Sequence, residues 1–189
     1  MTRVLFIILT LLISSNSMAN TKGQSEEVFF RVDAGINYYS IRIFEDILSP
    51  ITPYNDFEWG QVLALSAMKR VSDNQFIAAQ IDWQNIESHS LFALRALEYN
   101  HQLTDNWTTH AFVGAARYDY RTPAYGYTVG FGMRVKSWPM ENFGVTIEAQ
   151  YHDKLARDKL TADDLSSSET GPDMFFDVRA LNFTLNYYF

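Results

Sequence analysis

The stretch that decides the fold is the last, "LNFTLNYYF", residues 181–189. Leu181, Phe183, Leu185, Tyr187 and Phe189 alternate with Asn182, Thr184, Asn186 and Tyr188. Side chains on a strand point alternately to opposite faces, so the pattern predicts a strand with one apolar and one mostly polar face.

Seven earlier segments share this arrangement. Val28–Ser40 sets Phe30, Val32, Ala34, Ile36 and Tyr38 against Arg31, Asp33, Gly35 and Asn37. Trp59–Arg70 alternates weakly, and its faces stay open. Phe76–Asn85 opposes Ile77, Ala79, Ile81 and Trp83 to Gln80, Asp82 and Gln84. A fourth segment covers about Ser90–Gln102. The fifth, Trp107–Tyr120, contains Gly114-Ala115-Ala116, where a bend or a close neighbour is expected. The sixth sets Tyr125, Tyr127, Val129, Phe131, Met133 and Val135 against Gly126, Thr128, Gly130, Gly132 and Arg134. The seventh sets Phe143, Val145, Ile147, Ala149 and Tyr151 against Gly144, Thr146, Glu148, Gln150 and His152. Met174–Phe189 is the eighth.

The breaks alternate too. Those at 71–75, 104–106 and 136–142 are short, whereas 41–58 and 153–172 are long and 86–89 and 121–124 brief. Short turns at one end and the longest excursions at the other give the polarity of an outer-membrane barrel. In lipid every backbone donor and acceptor must be paired, so strands cross only as a closed barrel. A secreted sandwich or lipocalin-like barrel is the soluble alternative, because periodicity alone fits a shared core as well.

The N-terminus favours export. "MTRVLFIILTLLISSNSMA", residues 1–19, has Arg3, an apolar run from Val4 to Ile13, and small residues at Ser17 and Ala19. This is a signal peptide with cleavage expected after Ala19. Its ten-residue run rises only about 15 Å as a helix, too short to anchor. Residues 20–27 are then a short N-terminal extension and 28–189 the barrel.

Composition agrees. The chain of 189 residues is 47 % hydrophobic and 15 % aromatic, yet its mean hydropathy is −0.16, so apolar residues are interleaved with polar ones. The net charge of −7 and the lack of any basic run argue against nucleic acid. Without cysteine there is no disulfide, thiolate site or lipidated anchor.

With these strands, "LEYNHQLTDNW" at 97–107, "GYTVGFGMRV" at 126–135 and the terminal "YYF", the chain resembles small eight-stranded outer-membrane proteins of the OmpA transmembrane-domain and OmpX type. The resemblance implies an all-β, eight-stranded, antiparallel, up-and-down transmembrane β-barrel. It also implies that Phe183, Leu185, Tyr187 and Phe189 are the signal read by the barrel-assembly machinery. Periplasmic chaperones during biogenesis and residence in the cell outer membrane after Sec export follow from the same likeness. Full-length OmpA carries a peptidoglycan-binding domain after its last strand; none is expected here, and a role in tethering the cell wall is not expected either.

At eight strands the interior is just wide enough for its own side chains. The inward set is predicted to be Arg31, Asp33, Gln80, Asp82, Gln84, Arg134, Glu148, Gln150 and His152. These form either a satisfied polar plug, since a buried charge must be paired, or a narrow ion conduit. Arg95 conflicts with the pattern. If Glu98 and Asn100 face inward, it points at lipid at a cost of roughly 2–4 kcal/mol, so strand four has the opposite facing or a bulge.

A lipid A or phospholipid modifying enzyme needs a serine, a histidine and a carboxylate together. The nearest residues are Glu87, Ser88, His89 and Ser90, with His152 and Asp153. No cofactor and no metal site are expected, as the four histidines are widely spaced and the acidic loop lacks calcium-loop spacing. In the first loop, Ile43, Phe44, Ile47, Leu48, Ile51, Tyr54 and Phe57 are expected to cap the mouth or, alternatively, to meet a partner. The chain is expected to be a monomer without an open pore, with a structural or surface role. Its partners would be outer-membrane lipid and lipopolysaccharide, the latter through divalent cations.

Overall fold

Valine, isoleucine, phenylalanine and tyrosine alternating with polar residues suit the pleated, half-buried surface of a strand. In the computed structural model they form β1 (Val28–Phe44), β2 (Glu58–Ser72), β3 (Gln75–Ile86), β4 (His89–Gln102), β5 (Trp107–Asp119), β6 (Pro123–Lys136), β7 (Phe143–Ala156) and β8 (Phe175–Tyr188). Each strand pairs antiparallel with the next, and β8 closes on β1. The structure describes residues 28–44, 53–120, 123–136, 142–156 and 175–189. The expected signal peptide with its cleavage at Ala19, the extension 20–27, and Ile47, Leu48 and Ile51 lie outside the described residues.

The barrel is inside out. Leu65, Ile81, Leu94, Val113, Val129, Phe131, Ile147 and Leu185 are exposed on the wall, while the charged residues between them are buried. Strand β2, left open by sequence, turns Leu63 and Leu65 outward and Val62, Ala64, Ser66 and Met68 inward. Phe30, Trp107, Phe143, Tyr187 and Phe189 ring the short-turn end; Tyr38, Trp59, Trp83, Phe92, Tyr127 and Tyr151 ring the other. Phe30 and Tyr38 are eight residues apart on β1. At about 3.3 Å per residue and a tilt of about 40°, the two girdles stand roughly 20 Å apart, close to the apolar band of an outer-membrane barrel.

The conflict at Arg95 is resolved by a β-bulge. Arg95 is 2 % exposed and Glu98 0 %, with Leu97 at 53 % between them. The pairing steps from Arg95↔Gly114 to Leu97↔Val113 on one side and from Gln80↔Arg95 to Ala78↔Glu98 on the other. Ala96 is thus one residue too many for both neighbours, and the surplus lets Arg95 and Glu98 face inward together. Gly114 is opposite. A Cβ there would sit 2.8 Å from the Arg95 Cα and collide with the Leu94 carbonyl oxygen, so the small-residue patch marks a close backbone approach.

Above the loop-end girdle the polarity reverses. Strands β1 and β7 run to Phe44 and Ala156, beyond the expected ends at Ser40 and His152. At this level Ile41 and Leu155 of the extensions pack inside with Tyr39, Leu91, Tyr118, Phe176 and Val178 as an apolar cluster. Polar residues such as Asn85, Arg117, Asp119, Asp153 and Arg179 take the outer face. Water outside favours apolar burial, and lipid outside favours polar burial, so the reversal marks where the barrel leaves the membrane.

Candidate functional site

The interior between the girdles is built around Glu148 on β7. Arg95 donates to it twice, Nη1 to Oε2 at 2.6 Å and Nη2 to Oε1 at 2.7 Å. His110 Nε2 donates to Oε2 at 2.7 Å, Gln150 Nε2 to Oε1 at 2.7 Å and Asn182 Nδ2 to Oε1 at 3.3 Å. The bidentate geometry is the strongest form of an Arg–carboxylate pair. Arg95 also donates through Nε to Asp82 Oδ2 at 2.6 Å, and its guanidinium carbon lies 3.7 Å from the centre of the Phe112 ring.

A second focus is Glu98, which lies within 3.6 Å of Arg31, 3.3 Å of Arg95 and 3.4 Å of Arg134. Arg31 donates to Asp33 at 2.9 Å and to Gln80, and Gln80 donates to Asp82. Arg134 donates to Asn100 at 2.9 Å and Thr146 at 3.1 Å, while Asn186 donates to Asp33 at 2.6 Å. Above this lies an amide layer in which Asn37 donates to Gln84 at 3.0 Å and Gln84 to Gln150 at 2.5 Å.

All nine residues of the predicted inward set are buried and face the interior. Eight join one hydrogen-bonded network. The ninth, His152, has no hydrogen-bond partner on either ring nitrogen among the described residues, and it sits where the network gives way to the apolar cluster. The predicted set did not include Arg95, Glu98 and Asn100, which the sequence showed only as a conflict of facing, nor Asn182 and Asn186, placed on a polar face without a role, nor His110, which carried no mark. The usable signal was the glycine row of β6. A Cβ on Gly130 or Gly132 would run into the Phe112 or His110 ring, so those glycines report two large side chains opposite.

A cavity of about 10 Å³ lies among Arg31, Asp33, Arg95, Arg134, Glu148 and Asn182. That is about the space one water occupies.

The residues weighed for catalysis are not brought together. Glu87 and Ser88 form the β3–β4 turn, both at positive φ. The His89 ring lies 4.8 Å from that of Tyr120, and Ser90 Oγ accepts a hydrogen bond from Trp83 at 3.0 Å. His152 is buried, whereas Asp153 accepts from the Tyr151 hydroxyl at 3.4 Å.

The first loop does not bring Tyr54 and Phe57 over the mouth, contrary to the capping expectation. Their rings lie 4.2 and 4.8 Å from the Arg179 guanidinium, and Phe57 stacks on Tyr38 at 4.7 Å. Ser40 donates to the Asn55 carbonyl at 2.6 Å, tying the loop to the outer wall of β1. Arg42 and Asp177 pair beside it. Among the described residues it is strand side chains that pack inside the mouth, with Ile43 against the apolar cluster.

No protein-family model matches the chain, and no curated protein matches it in sequence. Among solved structures it is similar to Ail, the attachment invasion locus protein of Yersinia pestis, in complex with the heparin analogue sucrose octasulfate. Identity is 12 % over 86 % of this chain and 99 % of that one, with a TM-score of 0.49. Neisserial surface protein A gives 10 % identity over 88 % and 99 %, at 0.49. The N-terminal β-barrel domain of Pseudomonas aeruginosa OprF gives 11 % over 84 % and 97 %, at 0.43. The functional reading rests on this chain's own residues.

Proposed function

We propose that this protein is a closed, structural outer-membrane barrel that acts in envelope integrity or surface interaction through its wall and loop-bearing rim. The observation that carries the reading is the doubly filled interior, in which a paired ionic network with a cavity of about 10 Å³ lies beneath an apolar cluster. An ion crossing it would have to displace charge-assisted hydrogen bonds and then pass a layer with nothing to solvate it.

The exposed apolar band and the polarity reversal support a membrane home, and the N-terminal pattern supports Sec export with cleavage after Ala19. Phe189 hydrogen-bonds through its backbone to Phe30 in both directions, and its ring stacks on Phe30 at 5.9 Å. The last strand is therefore the closing one, which suits an assembly signal at Phe183, Leu185, Tyr187 and Phe189. We take lipopolysaccharide and outer-membrane lipid as its surroundings and the monomer as its state.

Planar-bilayer recording of the full chain tests the reading. Repeated insertion without single-channel steps is expected, and stepwise conductance would overturn it. Outer-membrane fractionation with heat-modifiable migration tests the location, which a soluble periplasmic product would refute.

A further inference from the structure

The outer wall carries an apolar groove of about 240 Å³ at Ala67, Ala79 and Ala96 and another of about 260 Å³, and the second has a feature that a structural barrel does not require. On β5, Ala115 faces outward between its register partners Leu94 on β4 and Tyr127 on β6. A methyl flanked by larger side chains leaves a depression, and a groove of about 260 Å³ lies there, walled by Ile81, Phe92, Leu94 and Tyr125. Its lower walls, Ile81 and Leu94, belong to the lipid-facing band. Its upper end is different in kind. Arg117 lines it at the loop-end girdle, in register with Phe92 and Tyr125, its side chain 46 % exposed and its guanidinium carbon 6.0 Å from the Tyr125 ring.

An apolar slot rising to a guanidinium at head-group depth is complementary to a lipid with an acyl chain below and an anion above. Asp119 accepts from Arg117 Nε at 2.7 Å, which fixes the side chain through the one nitrogen that a fork-shaped contact to phosphate can spare. The end bearing the longest connections is the outer-leaflet end of such a barrel. We infer that this groove seats an acyl chain of lipid A, the phosphorylated, multiply acylated glycolipid of the outer leaflet, with one of its phosphates on Arg117. The inference rests on the outer-membrane reading above.

Native mass spectrometry of the full-length protein, purified in mild detergent and offered lipid A, dephosphorylated lipid A or phosphatidylglycerol, tests the site. Lipid A retained in preference to the other two is expected. Arg117→Gln should lower its occupancy about tenfold, the ratio for losing one charge-assisted contact. Ala115→Trp, or Ala115→Leu if the larger residue blocks folding, should lower it by filling the slot. Arg70→Gln, at the opposite end of the barrel, should leave it unchanged. Equal retention of dephosphorylated lipid A or of phosphatidylglycerol, or occupancy unaffected in both groove variants, would overturn the inference. Heat-modifiable migration, measured on the same samples, separates the two failures: a wild-type chain that migrates as a folded barrel but shows no lipid A preference sinks the groove alone.

Discussion

Glu148 and Arg95 offer a test in which a substitution should change sign with its background. In the wild type, Glu148 accepts five hydrogen bonds, two of them from Arg95, and Arg95 also holds Asp82 and Glu98. Glu148→Gln keeps an acceptor for Arg95 but removes the charge, and hydrogen bonds to charged groups contribute about 1.5–3 kcal/mol. A loss in that range is expected. Arg95→Met is worse, because it strands Asp82 and Glu148 without their guanidinium in a buried site. Breaking a buried pair in this way costs about 3–5 kcal/mol. In the Arg95→Met background, Glu148→Gln removes one of the stranded charges, so the double variant should be more stable than Arg95→Met alone. Equilibrium unfolding in urea with lipid vesicles, scored by the heat-modifiable band, gives all four stabilities. A Glu148→Gln penalty of the same size and sign in both backgrounds would refute the pairing, since non-interacting sites are additive.

Deleting Ala96 removes the bulge and turns either Arg95 or Glu98 to lipid; no heat-modifiable form should appear on refolding, whereas Ala96→Val should fold. Gly130→Val places side-chain atoms in the space of the Phe112 ring and 2.6 Å from the Ala149 carbonyl oxygen, and should cost about 1–3 kcal/mol in urea unfolding, a penalty that shrinks but does not vanish when it is introduced into a Phe112→Ala background. Leu65→Lys lies within the apolar band and should cost about 2–4 kcal/mol, while Asn85→Lys at the loop-end rim should stay within about 0.5 kcal/mol by the same measurement. Removing Phe189 should lower the outer-membrane level of the protein in cells on quantitative blotting, yet leave refolding in detergent intact.

The strands and most of their faces were legible because one rule, apolar to lipid and polar to the interior, holds over most of the span between the girdles. It failed where the physics differed. On β2, Val62, Ala64 and Met68 face inward with no polar mark, since the guanidiniums packed against them need small or soft neighbours there; Met68 Sδ lies 3.4 Å from Nη1 of Arg31 on the adjacent strand β1. Arg95 looked misplaced because alternation assumes one residue per step, and the surplus at Ala96 shows only once both neighbouring strands are paired. Along "YYSIRIF" the rule inverts. Tyr39 and Ile41 go inside and Arg42 pairs with Asp177 on the wall, so the upper part of β1 reads from sequence as loop.

That inversion also bears on where a function can reside. Arg31, Arg95 and Arg134 face Asp33, Asp82, Glu98 and Glu148, each arginine held by at least one carboxylate within 3.6 Å. A network so engaged has little charge to offer a passing ion, and a buried polar network is stable only while its members stay partnered. The apolar layer above it closes the mouth with side chains that offer an ion no hydration. On the proposed reading each layer blocks by a different means, so loosening one alone should still give no single-channel steps in planar bilayers. Tyr118→Ala would widen the apolar layer and leave Arg95 on Glu148, whereas Arg95→Met would disturb the ionic layer beneath an intact Tyr118–Phe176 contact. Among the described residues, the charged and aromatic groups left open to other molecules lie on the wall and the rim, with Arg117, Arg179 and the aromatic girdle.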